Sequence, residues 1–251
     1  MSKANILGVN VDMIRLVEVL ERIRSTVKDN RRAIITYIHV MGLHIAYEQE
    51  WFRQFLNSAE VVFCDGMGVK LGGRLLGYDI PERFAVTDWI WPLVEMAETQ
   101  GFSFYFLGNP PGTAEKAACR MLERFPGLAI LGTQHGFFDK SPFHPENEAV
   151  IAKINAARPN ILLVGLGMPA QERWLQENWE RLEVNVAITC GAVFEYIAGE
   201  LKRGPRWMTH HYMEWLARLI ISPKRYGKRY LVDNPLFLYR IFKQKYLGFS
   251  R

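Results

Sequence analysis

Apolar residues in this chain fall in short blocks separated by longer amphipathic stretches. Blocks at residues 6–9, 33–37, 61–64, 103–107, 128–131, 161–164 and 184–189 are nearly continuous in Ile, Leu, Val, Phe and Ala. Short apolar runs bounded by turn residues are the pattern of strands buried on both faces. Between the blocks the period lengthens. Residues 12–27 place Ile14, Val17, Leu20 and Ile23 on one helical face, with Asp12 positioned as N-cap. Residues 115–125 and 146–157 repeat that helical pattern. Strand and helix in alternation predict an α/β fold, a mostly parallel sheet covered on both faces. Residues 133–145 (TQHGFFDKSPFHP) read as a longer loop, a candidate site loop.

The pattern changes after Gly204-Pro205. Trp207, Tyr212, Trp215, Tyr226, Tyr230, Phe237, Tyr239, Phe242 and Tyr246 recur at helical spacing, and Pro223 and Pro235 divide the segment into three short helices. Interleaved Lys and Arg give residues 200–251 a net charge of +9, whereas the preceding body carries −4. The chain is therefore read as a catalytic body, 1–203, and a basic aromatic helical appendage, 204–251. Two roles for the appendage stand side by side. Basic residues among aromatics suit the interface of an anionic membrane. The same pattern suits a structural cap whose aromatics pack on the body and whose charges are solvated.

Composition narrows the class. With 251 residues and 49% hydrophobic content, one large α/β domain can bury a sizeable core. Cys64, Cys119 and Cys190 form no CxxC pair and read as reduced thiols of a cytosolic protein. Residues 1–10 read as a strand rather than a signal peptide. No apolar run approaches the roughly 18 residues of a spanning helix, so any membrane contact is expected to be peripheral.

Three strand-end motifs carry the candidate chemistry. Ile161-Leu162-Leu163-Val164 runs into Gly165-Leu166-Gly167, then Pro169 at a helix start, then Gln171 and Glu172. Ligands of open α/β sheets bind beyond the carboxyl ends of the strands, so Gln171 and Glu172 would read a bound nucleotide or sugar; a plain surface Gln-Glu pair is the alternative. Val61-Val62-Phe63-Cys64 delivers Asp65, followed by Gly66 and Gly68, whose small size lets backbone approach a ligand. Asp65 can serve as a general base or can simply cap the next helix. Gly108-Asn109-Pro110-Pro111-Gly112 leads from a strand into a helix N-terminus, where free N–H groups attract phosphate. That turn is neither a Walker loop nor GxGxxG.

Other chemistries lack their residues. No Asp-x-Asp closes a strand to hold a divalent metal on a nucleotide diphosphate, and the six histidines show no HExxH spacing. There is no Gly-x-Ser-x-Gly elbow. The basic tail matches no nucleic-acid motif, so nucleic acid is not an expected partner.

CDGMGV, FLGNPPGTAEKAA and VGLGMPAQERWL, in this order, together with LNSAEVVFCDGMGVKLGGRLLG and CGAVFEYIAGELKRGPRWM, resemble the WecB/TagA/CpsF family of bacterial glycosyltransferases over residues 5–245. The resemblance implies a Rossmann-like fold and an inverting, metal-independent hexosyltransferase without a cofactor. Such enzymes move a sugar (N-acetylmannosamine, its uronic acid or glucose) from a UDP donor to a polyprenyl-diphosphate-linked sugar. The product feeds cell-surface polysaccharide on the inner face of the cell membrane. It implies Asp65 as catalytic base and Thr36 as a residue shaping the site. His39 stands near where the family commonly has Asn. Gln171 and Glu172 fall in the family's donor motif, beside the glycine turns Gly66, Gly68, Gly108, Asn109, Gly112 and Gly167. Arg203, Arg206, Arg225 and Arg229 are the candidates for the lipid diphosphate. Homo-oligomers are compatible with this reading. The competing expectation is a soluble UDP-sugar epimerase or hydrolase with a structural cap.

Overall fold

The computed structural model describes residues 2–201 and 233–248. It opens with an antiparallel hairpin, β1 (Lys3–Ile6) and β2 (Val9–Asp12). Leu7 and Gly8 form the two-residue turn with φ of 51° and 83°. Both are left-handed, the backbone of the tight turn that matches strand twist. The apolar block at 6–9 is thus a buried turn with a strand end on either side, not one strand.

Asp12 closes β2 and caps no helix. Its fully buried carboxylate accepts the Val62 N–H at 2.8 Å and pairs with Lys3 at 3.5 Å. Burial nevertheless raises its pKa, the dominant cause. The first helix, α1 (Leu16–Lys28), starts four residues later than the sequence predicts, and Glu18 accepts the Arg15 N–H at its start. The later start rotates the buried face to Val19, Ile23 and Val27, and leaves Val17 exposed.

The remaining strands form one six-stranded parallel sheet in the order β4-β3-β8-β7-β5-β6. They are β3 (Ala33–Ile38), β4 (Val61–Cys64), β5 (Ser103–Gly108), β6 (Ala129–Gln134), β7 (Ile161–Gly165) and β8 (Val186–Thr189). One face packs against the hairpin, α2 (Val40–Glu48), α3 (Glu50–Ser58), α4 (Met67–Leu75), α7 (Pro145–Ala157) and α8 (Ala170–Asn178). The other packs against α1, α5 (Val86–Gln100), α6 (Thr113–Arg124) and the short α9 (Val193–Ile197). A parallel sheet covered on both faces, except along the edge strand β6, explains why the other strands read as nearly unbroken apolar runs.

The last described helix, α10 (Asn234–Leu247), starts with Pro235 in its first turn. Phe237 and Ile241, one turn apart, enter the core against α4. A Cβ on Gly72 would lie 2.6 Å from the Phe237 ring, so glycine is what lets α10 seat. Arg240 donates to His44 Nδ1 at 2.8 Å, which leaves Nε2 as the proton-bearing nitrogen that donates to the Asp233 carbonyl. Gln244 bonds the Leu7 N–H and the Asn5 carbonyl, both at 2.8 Å. Among the described residues no helix is long and apolar enough to cross a membrane.

Candidate functional site

All six strands point the same way, so every motif read from the sequence converges on their carboxyl edge. Neighbouring β5 and β7 are followed by helices on opposite faces, α6 and α8, and so are β7 and β8, followed by α8 and α9. Connections that part in this way open a crevice above the strand ends.

Asp65 is the residue after β4. Its N–H donates to the Ile38 carbonyl at 2.9 Å, continuing the ladder and fixing the backbone. The N-cap of α4 is Gly66, at φ 123°, so capping is not what Asp65 supplies. Asp65 is half-buried, and its charge helps to push the Cys64 thiol up to about 12, after burial as the main cause. Lys70 and Arg83 act on the same thiol in the opposite sense, which places two cations near the end of β4. Gly68 has a packing reason: a Cβ there would lie 2.4 Å from Val40 on α2.

Gln171 and Glu172 open α8 and are both fully buried, so they are not a surface pair. The Gln171 amide donates to Glu172 Oε1 at 2.8 Å and to the Tyr37 hydroxyl at 3.3 Å; its oxygen accepts the Gly191 N–H at 3.1 Å. One side chain thereby ties the ends of β3, β7 and β8. Burial lifts the Glu172 carboxyl to about 7. Burial also holds Tyr37 in its protonated form, reinforced by the charges of Glu172 and Asp65. Tyr37 accepts from Gln171, so its own O–H is the donor it can offer.

Thr36 lies inside β3, fully buried, and its hydroxyl is 2.8 Å from that of Thr189, the last residue of β8. It braces the neighbouring strands β3 and β8 beneath the edge. His39 caps α2, its Nδ1 accepting the Gly42 N–H at 3.0 Å. The proton of a neutral His39 ring is therefore on Nε2.

Gly108 and Asn109 end β5 with φ of 135° and 57°. A Cβ on Gly108 would sit 2.3 Å from the Gly165 carbonyl oxygen, so β5 and β7 touch backbone to backbone here. Asn109 Oδ1 and Glu172 Oε2 are buried without a hydrogen-bond partner. Such acceptors beside a crevice are candidates to meet a donor group of a ligand. Gly167, at φ 80°, has open space around it, and its carbonyl accepts the Gln171 N–H.

Gly112 is the N-cap of α6, as the phosphate-loop reading requires. That end already carries an anion of the protein's own. Glu200 accepts from the Thr113 hydroxyl and from Lys116, each at 2.7 Å. Arg203, Arg206, Arg225 and Arg229 lie outside the described residues. Among the described residues no three His, Cys, Asp or Glu side chains group to hold a metal ion. Tyr37, Thr189 and Glu200 were missed in sequence: the first two sit in apolar runs with nothing to mark them, and Glu200 lies in the CGAVFEYIAGELKRGPRWM stretch, where its pairing with Thr113 and Lys116 is not visible.

Known proteins match this chain over nearly its whole length. The chain is 27% identical over 247 residues to the N-acetylglucosaminyldiphosphoundecaprenol N-acetyl-beta-D-mannosaminyltransferase of Staphylococcus aureus strain NCTC 8325 / PS 47. The match covers 97% of this chain and 94% of that protein. The proteins of the same name in strains COL and MW2 are 27% and 26% identical over the same shares. The glycosyl transferase WecG/TagA/CpsF family profile matches residues 4–250. The chain therefore belongs to that glycosyl transferase family, the one its motifs resemble.

Proposed function

We propose that this protein transfers an N-acetylmannosaminyl residue, or a closely related hexose, from a UDP-sugar to a polyprenyl-diphosphate-linked N-acetylglucosamine. The observation that carries the reading is Asp65: one half-buried carboxylate, backbone-fixed at the carboxyl edge of the sheet, in a chain whose relatives are named as N-acetylglucosaminyldiphosphoundecaprenol N-acetyl-beta-D-mannosaminyltransferases.

The chemistry needs little more. The acceptor hydroxyl attacks the anomeric carbon as the bond to UDP breaks, and its proton passes to Asp65. A single displacement inverts the anomeric configuration. Charge that builds on the departing UDP is balanced by Arg83 and Lys70 near β4, by backbone N–H groups at the glycine turns, and by tail arginines. Tyr37 is suited to donate to the sugar, since burial keeps its proton in place. The α6 N-terminus is the weaker candidate for the diphosphate, because Glu200 occupies it. With no Asp-x-Asp in the chain, transfer proceeds without a divalent metal.

A donor screen scored by product mass tests this. UDP-sugars are offered with polyprenyl-diphosphate-N-acetylglucosamine, with and without EDTA. The expected product is heavier by one N-acetylhexosamine unit, or by one unit of the related sugar that the donor carries, β-linked from an α-linked donor, and EDTA leaves its yield unchanged. Hydrolysis or epimerisation of free UDP-sugar without lipid would favour the soluble-enzyme alternative. Loss of transfer in EDTA, restored by magnesium, would overturn the metal-free step.

A further inference from the structure

The loop that follows β6 has a feature that neither core packing nor the crevice chemistry uses. Phe137 and Phe143 are 68% and 78% exposed, two of the most exposed large apolar side chains among the described residues. Phe143 holds φ 64°, a left-handed backbone that a bulky residue rarely adopts. Strain retained at an exposed position points to a use for the side chain that it displays. The Arg181 guanidinium lies 5.4 Å from the Phe143 ring.

The loop is rigidly built. Phe137 N–H donates to His135 Nδ1 at 3.2 Å, Asp139 N–H to Glu146 at 2.7 Å and Ser141 N–H to Asp139 at 2.8 Å. Lys140 donates to the carbonyls of Gly136 and Phe138. Several of its backbone groups are thus satisfied by neighbouring side chains, which lowers the cost of bringing the loop to a low-dielectric interface. The loop is also joined to the crevice: Gly136 N–H donates to the Asn109 carbonyl at 2.8 Å.

We infer that Phe137 and Phe143 are an apolar foot that enters the bilayer interface and sets the crevice against the membrane surface. This rests on the lipid-linked acceptor proposed above. A crevice that draws its acceptor from a bilayer must meet that bilayer at its rim, and the loop that displays both rings is tied to Asn109 through Gly136, the residue before Phe137. Asp139 and Lys140 at the loop tip cancel in charge. Attachment here is therefore apolar and resists salt, unlike attachment by the basic tail.

The test is co-sedimentation of the full chain with phosphatidylcholine–phosphatidylglycerol vesicles in about 1 M sodium chloride, where the Debye length is about 3 Å. The wild-type protein should still bind, and F137S/F143S should lose about tenfold or more in partitioning. F143G should also bind less well, yet melt no lower than wild type, because glycine suits φ 64°. Transfer to acceptor embedded in vesicles should fall in the double variant, while transfer to a short-chain soluble acceptor stays unchanged. Equal binding by the double variant and wild type, or no wild-type binding in high salt, would overturn the inference. Phenylalanine-dependent binding without transfer to any lipid-linked acceptor would support the foot and sink the proposed function. Transfer with phenylalanine-independent binding would do the reverse.

Discussion

The Gln171 amide donates a 2.8 Å hydrogen bond to the carboxylate of its own sequence neighbour, Glu172, with both side chains fully buried. Glu172 Oε2 has no such partner, and the carboxyl is lifted to about 7. The folded protein thus binds a proton that the unfolded chain has released once the pH passes the ordinary carboxyl value of 4.5. Stability from this group is fully present below about pH 4.5 and falls as the pH rises through 7. Glu172→Gln keeps the acceptor for Gln171 and mimics the protonated form. It should flatten the dependence between pH 5 and 8 and raise stability at pH 8, by at most about 3 kcal/mol. Urea unfolding of both proteins across that range checks it; parallel pH curves would show that Glu172 is ionised throughout.

Asp65→Asn should fold normally and bind UDP as wild type does. Turnover should fall by roughly 10²–10⁴, the usual loss for a general base. Initial rates by product mass, with UDP affinity by calorimetry, decide it. Turnover near wild type would take Asp65 out of the mechanism.

Gly108→Ala should be far more damaging than Gly167→Ala. Both glycines have positive φ, but only at Gly108 would the Cβ strike backbone, 2.3 Å from the Gly165 oxygen. A cost of roughly 3 kcal/mol or more, or failure to fold, is expected there, against about 1 kcal/mol at Gly167. Thermal melts of the pair would refute the close contact if they shifted equally.

Phe237→Ala should cost about 3–5 kcal/mol, as core phenylalanine truncations do. The ring is buried against Gly72 at the far end of the chain. It follows that a truncation after Gly204 removes core as well as charge. Charge-removing substitutions in the tail are the cleaner test of membrane docking. Denaturant midpoints of Phe237→Ala and of the truncated chain should both drop; an unchanged midpoint would mean that α10 is dispensable.

The sheet was legible because its strands, the edge strand β6 apart, are largely buried on both faces. Residues 61–64 and 161–164 have no polar position to break the run, and the turn glycines mark their ends. The hairpin was not legible. Its turn, Leu7-Gly8, is roofed by Gln244 from the last helix, so the turn looks as apolar as a strand. Asp12 imitates a helix cap in sequence because its true partner, Val62, is fifty residues away. At the site, the three motifs located the edge but not its wiring. Gln171, read as a residue of the ligand edge, also bonds Tyr37 and Gly191, contacts that no local pattern encodes.

The bonds from Gln244 to Asn5 and Leu7 fasten the end of the described fold to its beginning. Closing a chain end to end costs entropy that grows only slowly with its length, so a few such bonds can hold it. The two described ends therefore stand or fall together. Cutting away the hairpin should loosen α10 from across the sequence, because without Asn5 and Leu7 the side chain of Gln244 loses these partners beside Phe237 and Ile241.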